Sequence, residues 1–228
     1  MEAGTITAHP LAGHGAHAPA KPRTGLMKWL LTTDHKLIGV MYIWLAFFFF
    51  AVAGIFALVM RAQLSAPGLH VVRPEIYNQI MSLHGTFMIF FFTIPVMAGL
   101  ANYVVPIQLG ARDMAFPRVN AVSFWMLVPA GLFMLVSLVL KSGSAAAGWT
   151  SYPPLTSRQF SPGPGIDLWI LGLHLAGAAS ILGAINFVVT ILNLRAPGMS
   201  MMKMPMFCWN VLITQTIILF ATPVLAGA

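Results

Sequence analysis

Few side chains in this chain are equipped for chemistry, and they stand out because the rest is so apolar. His84 lies inside SLHGTFMIFFF, an uncharged segment. An ionisable side chain in such a segment is a functional candidate by default, and a neutral imidazole is a good ligand for haem iron. Gly85 beside it leaves room for a flat macrocycle, with Phe87, Met88 and Phe91 at helical spacing. The same residues also fit a histidine hydrogen-bonded to a neighbouring helix, with an ordinary Met/Phe core or lipid-facing stripe. His174, in LGLHLAGAAS, would complete a bis-histidine pair, but it lies on another apolar segment and nothing local sets its separation from His84. Asp113 sits in the polar link QLGARDMAFPRVN. It reads either as a surface ion pair with Arg112, which chemistry alone favours, or as a proton collector at the mouth of a polar path. Asn102, Asn120, Ser180 and Asn186 could line such a path, since polar groups facing into an apolar bundle can hold a file of water. Arg112 and Arg118 are expected to keep Asp113 ionised at neutral pH.

The elements that position these residues follow from composition. Hydrophobic residues make up 58% of the chain and charged residues 7%, whereas soluble domains carry about 25% charge. Five runs lack Asp, Glu, Lys and Arg: 37–60, 80–105, 119–140, 168–194 and 205–228. Each exceeds the roughly 20 residues a helix needs to cross a bilayer. None alternates with period two, so a barrel is not expected. The fold class is all-α, a polytopic transmembrane bundle over 27–228, preceded by a tail over 1–26. That tail is rich in Ala, Gly, Pro and His and has no signal-length apolar core. His9, His14 and His17 could bind a metal there, but no fixed geometry orients them. Lys21, Arg23, Lys28, Lys36, Arg112, Arg118, Arg195 and Lys203 fall on one side of the five spans. Arg61, Arg73, Lys141 and Arg158, half as many, fall on the other. The positive-inside rule then places the N-terminus in the cytoplasm. In this setting the net charge of +7 reports cytoplasmic loops rather than nucleic-acid binding. The one cysteine, Cys208, excludes an internal disulfide framework. Gly172, Ala176, Ser180 and Ala184 recur every four residues, a stripe that lets another helix approach closely.

Several segments, taken in order, carry a resemblance. LTTDHKLIGVMYIW, the stretch from Ile80 through SLHGTFMIFFF, NYVVPIQLGARDMAFPRVNAVSFW, GWTSYPPL and HLAGAASILGAINFVVTILN together resemble subunit I of the haem-copper cytochrome c oxidases, over residues 33–228. The resemblance implies that His84 ligates a low-spin haem, of haem a type, with its axial partner on a later helix. His174 matches a position that is not an iron ligand. Arg61 would hydrogen-bond the haem formyl group, and Trp149 would lie near the propionates. Asp113 would open a proton path lined by Asn102, Asn120 and Ser180, with His35 and Tyr42 near its cytoplasmic end. Three positions depart from the pattern. Ala121 and Ala179 stand where relatives often have Asn and Ser, which removes water-binding groups. Gln63 stands where many have a glutamate of an outer cation site, which removes a hard-cation ligand.

The implied parent is a proton-pumping terminal oxidase in a bacterial plasma membrane. It would take electrons from cytochrome c through a copper-bearing subunit II and pass them to molecular oxygen at a high-spin haem and copper. Those two cofactors belong to helices after the fifth, so the chain is expected to be a truncated piece or one part of a split subunit, unable to reduce oxygen alone. A quinol oxidase shares nearly every motif. Some quinol-using relatives carry a histidine eight residues before the haem histidine, where this chain has Ile76, which favours cytochrome c. A haem-free structural subunit is the non-enzymatic alternative. The inverted halves expected of a transporter are not seen.

Overall fold

The computed structural model describes residues 25–227, and the histidines at 9, 14 and 17 lie outside that range. The described residues are helical, with no strand among them. A single turn, α1 (Leu26–Leu30), comes first. Five long helical segments follow, each long and apolar enough to cross a membrane. They are α2 (His35–Gln63), a continuous span Pro74–Leu109, α5 (Pro117–Ser137), α6 (Gly165–Asn193) and α7 (Met206–Gly227). The Pro74–Leu109 span comprises α3 (Pro74–Thr86), a π-helical segment (Phe87–Thr93) and α4 (Ile94–Leu109).

Local chemistry sets these boundaries. Asp34 caps α2, its Oδ1 accepting from Leu37 N–H at 2.8 Å. Pro74 and Pro117 open α3 and α5, where a missing N–H costs nothing. Gly110, at φ +69°, turns the chain out of α4. The π segment has a cause in Pro95. That residue cannot donate a hydrogen bond, and its ring crowds the carbonyl of the preceding turn. The ladder there shifts to longer bonds: Ile94 N–H donates to Ile89 O, and the Thr93 hydroxyl donates to Met88 O at 2.8 Å.

The most extensively packed helix pairs are α5 with α6, α2 with α4, and α6 with α7. Small residues permit the approach. A Cβ on Gly39 would stand 2.7 Å from Gly99 O, and one on Gly99 would stand 2.8 Å from Gly39 O. The stripe on α6 acts as its spacing suggests at Gly172, where a Cβ would meet Ala130 O of α5 at 2.7 Å. Phe49, Phe87 and Phe91 form the centre of one core, with ring centroids 4.9 to 5.6 Å apart. Gly131 makes room for the Phe49 ring. A second core gathers Val105, Leu109, Phe187, Ile191 and Cys208 between α4, α6 and α7.

Candidate functional site

His84 sits on the last turn of α3 with its Nδ1 2.9 Å from Ala53 O of α2. A carbonyl can only accept, so Nδ1 carries the proton and the lone pair lies on Nε2. Nε2 has no hydrogen bond among the described residues, and the ring is half-buried. This is the arrangement of a metal-ligating histidine: one nitrogen fixed by a backbone carbonyl, the other free and made more basic. The space for a flat group is not at Gly85. A Cβ there would stand 3.2 Å from Trp149 Cδ1, so the indole covers that residue. The open position is Gly54, next to Ala53, where a Cβ would meet nothing within 4 Å. The donor set therefore fits one axial bond to haem iron. His174 is engaged elsewhere, its ring nitrogens 2.9 Å from Ile170 O and 3.0 Å from Ala226 O. Arg61 is exposed in the last turn of α2.

Two residues beyond Arg61, Gln63 ties down the following loop. Its Nε2 donates to Leu69 O at 2.6 Å, and its Oε1 accepts from Val71 and Val72 N–H at 2.8 and 2.9 Å. The amide organises the loop by itself, with a donor and an acceptor where a carboxylate could only accept.

At the opposite end of the helices, Asp113 is half-buried in the link between α4 and α5. Its Oδ1 accepts from Met114 N–H at 2.7 Å, and the first residue of α2, His35, lies close enough to interact with it. Arg112 and Arg118 are both exposed, and neither is among the groups that act on Asp113. Burial instead pushes the Asp113 carboxyl above its ordinary value, and the Met114 N–H and His35 only partly pull it back. His35 is buried at 4% exposure, its Nδ1 2.7 Å from Asn102 O. The Asn102 Nδ2 donates to Ala98 O at 2.9 Å, while Asn102 Oδ1 has no partner among the described residues. Both side-chain amide atoms of Asn120 are likewise buried and unpaired. Buried amide atoms without protein partners call for water.

Beyond Asn102 a cavity of about 160 Å³ opens, with Tyr42, Asn102 and Ser180 in its wall beside Thr93, Gln215 and Ala179. The structure thus brings together Asp113 and His35 at one end, and Asn102, Tyr42 and Ser180 around the cavity. Asn120 does not line it. Asn120 connects through Ser123, whose hydroxyl donates to Asn120 O at 2.8 Å and lies 3.0 Å from the Tyr42 hydroxyl.

Sequence reading missed two contributors, Ser123 and Thr190, and gave a third, Asn186, a different task. Ser123 follows Asn120 by three residues, the spacing of a shared helix face. Thr190 and Asn186, four apart on α6, hold the Asp113 link. Asn186 Oδ1 accepts from Phe116 N–H at 2.9 Å, and its Nδ2 donates to Phe116 O at 3.1 Å. Thr190 Oγ1 accepts from Ala115 N–H at 2.9 Å and donates to Asn186 O at 2.6 Å. Asn186 is therefore spent on the backbone of the link.

Comparison with known proteins gives the chain's relatives. The family model for cytochrome c and quinol oxidase polypeptide I matches residues 37–228. A putative cytochrome c oxidase subunit 1-beta of Streptomyces avermitilis is 50% identical over 208 residues, covering 91% of this chain and 37% of that protein. A cytochrome c oxidase subunit 1 of Synechocystis sp. is 51% identical over 195 residues, covering 86% and 35%. One of Corynebacterium efficiens is 44% identical over 230 residues, covering 98% and 40%. The chain thus spans little more than a third of the length of the curated relatives it matches. With a family model covering most of its length, the chain belongs to the polypeptide I family of cytochrome c and quinol oxidases.

Proposed function

We propose that this chain supplies the low-spin haem ligand His84 and the proton entrance at Asp113 to the catalytic subunit of a bacterial terminal oxidase. The parent complex would accept electrons from cytochrome c by way of a copper-bearing second subunit. It would reduce oxygen at a high-spin haem and copper held by helices beyond those described here. The observation that carries the reading is the fixed tautomer of His84. Ala53 O holds the Nδ1 proton and leaves the lone pair on Nε2 of a half-buried ring.

When bound, the low-spin haem supplies one-electron transfer. The chain's own residues then have definable tasks. Ala53 O orients the imidazole and raises its basicity. Arg61 would hydrogen-bond a formyl group on a haem a and so draw electron density from the ring, and Trp149 would help to hold the propionates. On the other side, Asp113 takes protons from the cytoplasm. The same orientation puts the N-terminus inside and the Arg61 end of α2 outside. Burial lets Asp113 hold a proton at a pH where an exposed carboxylate would have lost it. His35 bridges the short distance from Asp113 to Asn102. The unpaired amide atoms of Asn102 and Asn120 hold water there. The cavity bounded by Tyr42 and Ser180 carries the file inward. Ala179 makes part of that wall apolar, so this chain offers water fewer partners than relatives with serine. Cytochrome c is preferred to quinol as donor on the relatives' names and on Ile76.

The test is His84→Leu in the full complex. The low-spin haem signal should disappear from the reduced-minus-oxidised spectrum, and haem content should fall by the corresponding amount. A complete low-spin signal in that variant refutes the assignment.

A further inference from the structure

The turn of α3 that carries His84 is fastened on three sides. His84 itself is tied to α2 through Ala53 O. Thr86, fully buried, donates to Ser82 O at 2.8 Å and accepts from Trp169 Nε1 of α6 at 3.0 Å. Ser82 is also fully buried. Its hydroxyl donates to Asn78 O at 2.7 Å and accepts from Gly148 N–H, in the segment between α5 and α6, at 2.8 Å. A serine hydroxyl has one proton to give. Here it is spent along the helix, which leaves a lone pair for the loop.

The placement of Gly148 matters because of its neighbour. Gly148 adopts φ +78°, a conformation that suits glycine, and Trp149 follows it onto α3. A Cβ on Gly85 would stand 3.2 Å from Trp149 Cδ1 and 3.4 Å from Trp149 Cβ. The indole therefore rests on the residue directly after His84, while 46% of Trp149 stays exposed. One buried hydroxyl, two residues before the ligand, fixes the backbone from which that indole hangs.

We propose that Ser82 is a positioning residue for the low-spin haem site: by accepting Gly148 N–H it seats Trp149 against the His84 turn. This rests on the reading of His84 as the haem ligand. The seated indole keeps water from that side of the site. An apolar shell around a metal site limits solvent access and raises the cost of the more highly charged oxidised form, which holds the potential up. Without the Ser82 acceptor, the Gly148 N–H turns to solvent, the indole lifts, and the oxidised form is favoured. If Ser82 were only a helix hydroxyl satisfied by Asn78 O, its removal would leave both the Gly148 amide and the haem unaffected.

The experiment uses the full oxidase complex carrying Ser82→Ala, Ser82→Thr or Gly85→Ala. Amide hydrogen exchange at Gly148 reads the latch without reference to haem, and a spectroscopic redox titration reads the low-spin potential. In Ser82→Ala, Gly148 should exchange faster. The haem should keep full occupancy, with its electron equilibrium moved toward the oxidised form on the order of fivefold, the worth of about one hydrogen bond. Ser82→Thr retains the hydroxyl and should restore both readings. Gly85→Ala presses the indole outward by only a few tenths of an ångström with the latch intact, so it should shift the potential by less than Ser82→Ala does, without speeding Gly148 exchange. Unchanged exchange in Ser82→Ala overturns the proposal. So does an unchanged potential in Ser82→Ala or, if that variant fails to assemble, an unchanged potential in Trp149→Leu, which removes the indole outright. Failure of the haem reading is separate: it shows as a retained low-spin signal in His84→Leu, with the Gly148 response intact.

Discussion

At the scale of single residues, charge and proton placement are the testable quantities. Arg61 is exposed at the end of α2, and Gln63 two residues on fixes the chain that follows. On the proposed reading, Arg61→Met removes a charged hydrogen bond to the haem periphery. The low-spin band should move to the blue and the potential should fall by about 60 mV, a charged hydrogen bond of about 1.5 kcal/mol expressed for one electron. A redox titration with the visible spectrum recorded at each step checks this, and an unmoved band and potential would reduce Arg61 to an interfacial anchor. Asp113 gives a second test with two readouts. Asp113→Asn keeps the shape and loses the proton, so turnover should slow by at least roughly tenfold and vesicle acidification should fall with it, the haem spectra unchanged. The second readout is stability. Burial raises the Asp113 carboxyl, so the folded chain disfavours its ionised form. That cost is absent below the ordinary carboxylate value and grows as pH rises through the raised one. Asp113→Asn should therefore melt higher than the parent at neutral pH, with the gap closing as the medium is acidified towards the ordinary carboxylate range. A gap that widens on acidification would mean the arginines govern Asp113 after all.

At the scale of elements, the link between α4 and α5 owes its shape to α6. Asn186 pairs with both the N–H and the C=O of Phe116, and Thr190 takes Ala115 N–H one turn away. Asn186→Ala strands a part-buried donor and acceptor and should loosen the link by about 1–3 kcal/mol. Amide exchange at Ala115 and Phe116 would show this, with Thr190→Val acting similarly and Thr190→Ser leaving the link protected. This level was only partly legible from the chain. Apolar runs without charge locate five helices because a bilayer leaves the backbone no other option. They miss α3 upstream of Ile80, where Glu75, Asn78 and Gln79 are helical yet polar. The histidine and the aspartate stand out by being rare. Asn186 did not declare its partner, because a side-chain amide pairing with backbone seventy residues away leaves no local pattern. Gly85 misled for the same reason: the indole that fills its space comes from a distant loop.

At the scale of the whole molecule, the side of the membrane facing each loop is a proposal resting on the distribution of Lys and Arg. Cys208, fully buried, is unavailable to reagents, so introduced thiols report cleanly. In intact spheroplasts an impermeant thiol reagent should label Lys141→Cys, and should reach Arg112→Cys only after permeabilisation. The reverse pattern would invert the topology and place Asp113 outside. The π segment has a consequence on the same scale. His84 and Asn102 lie 18 positions apart on one span (102 minus 84), about five whole turns of an ideal α-helix. In a regular helix both side chains would point in the same direction, and the proposed haem ligand and the polar cavity would share one flank. One extra residue in the winding between them adds an angular offset of about 100°. Both residues still reach α2: His84 Nδ1 meets Ala53 O, and the Asn102 backbone carbonyl meets His35 Nδ1. The Asn102 side chain folds back along its own helix to Ala98 O and lines the cavity. On the proposed reading a single span thus carries both the haem ligand and one wall of the proton path, and the winding between them, more than the identity of the residues within it, is what this segment has to preserve.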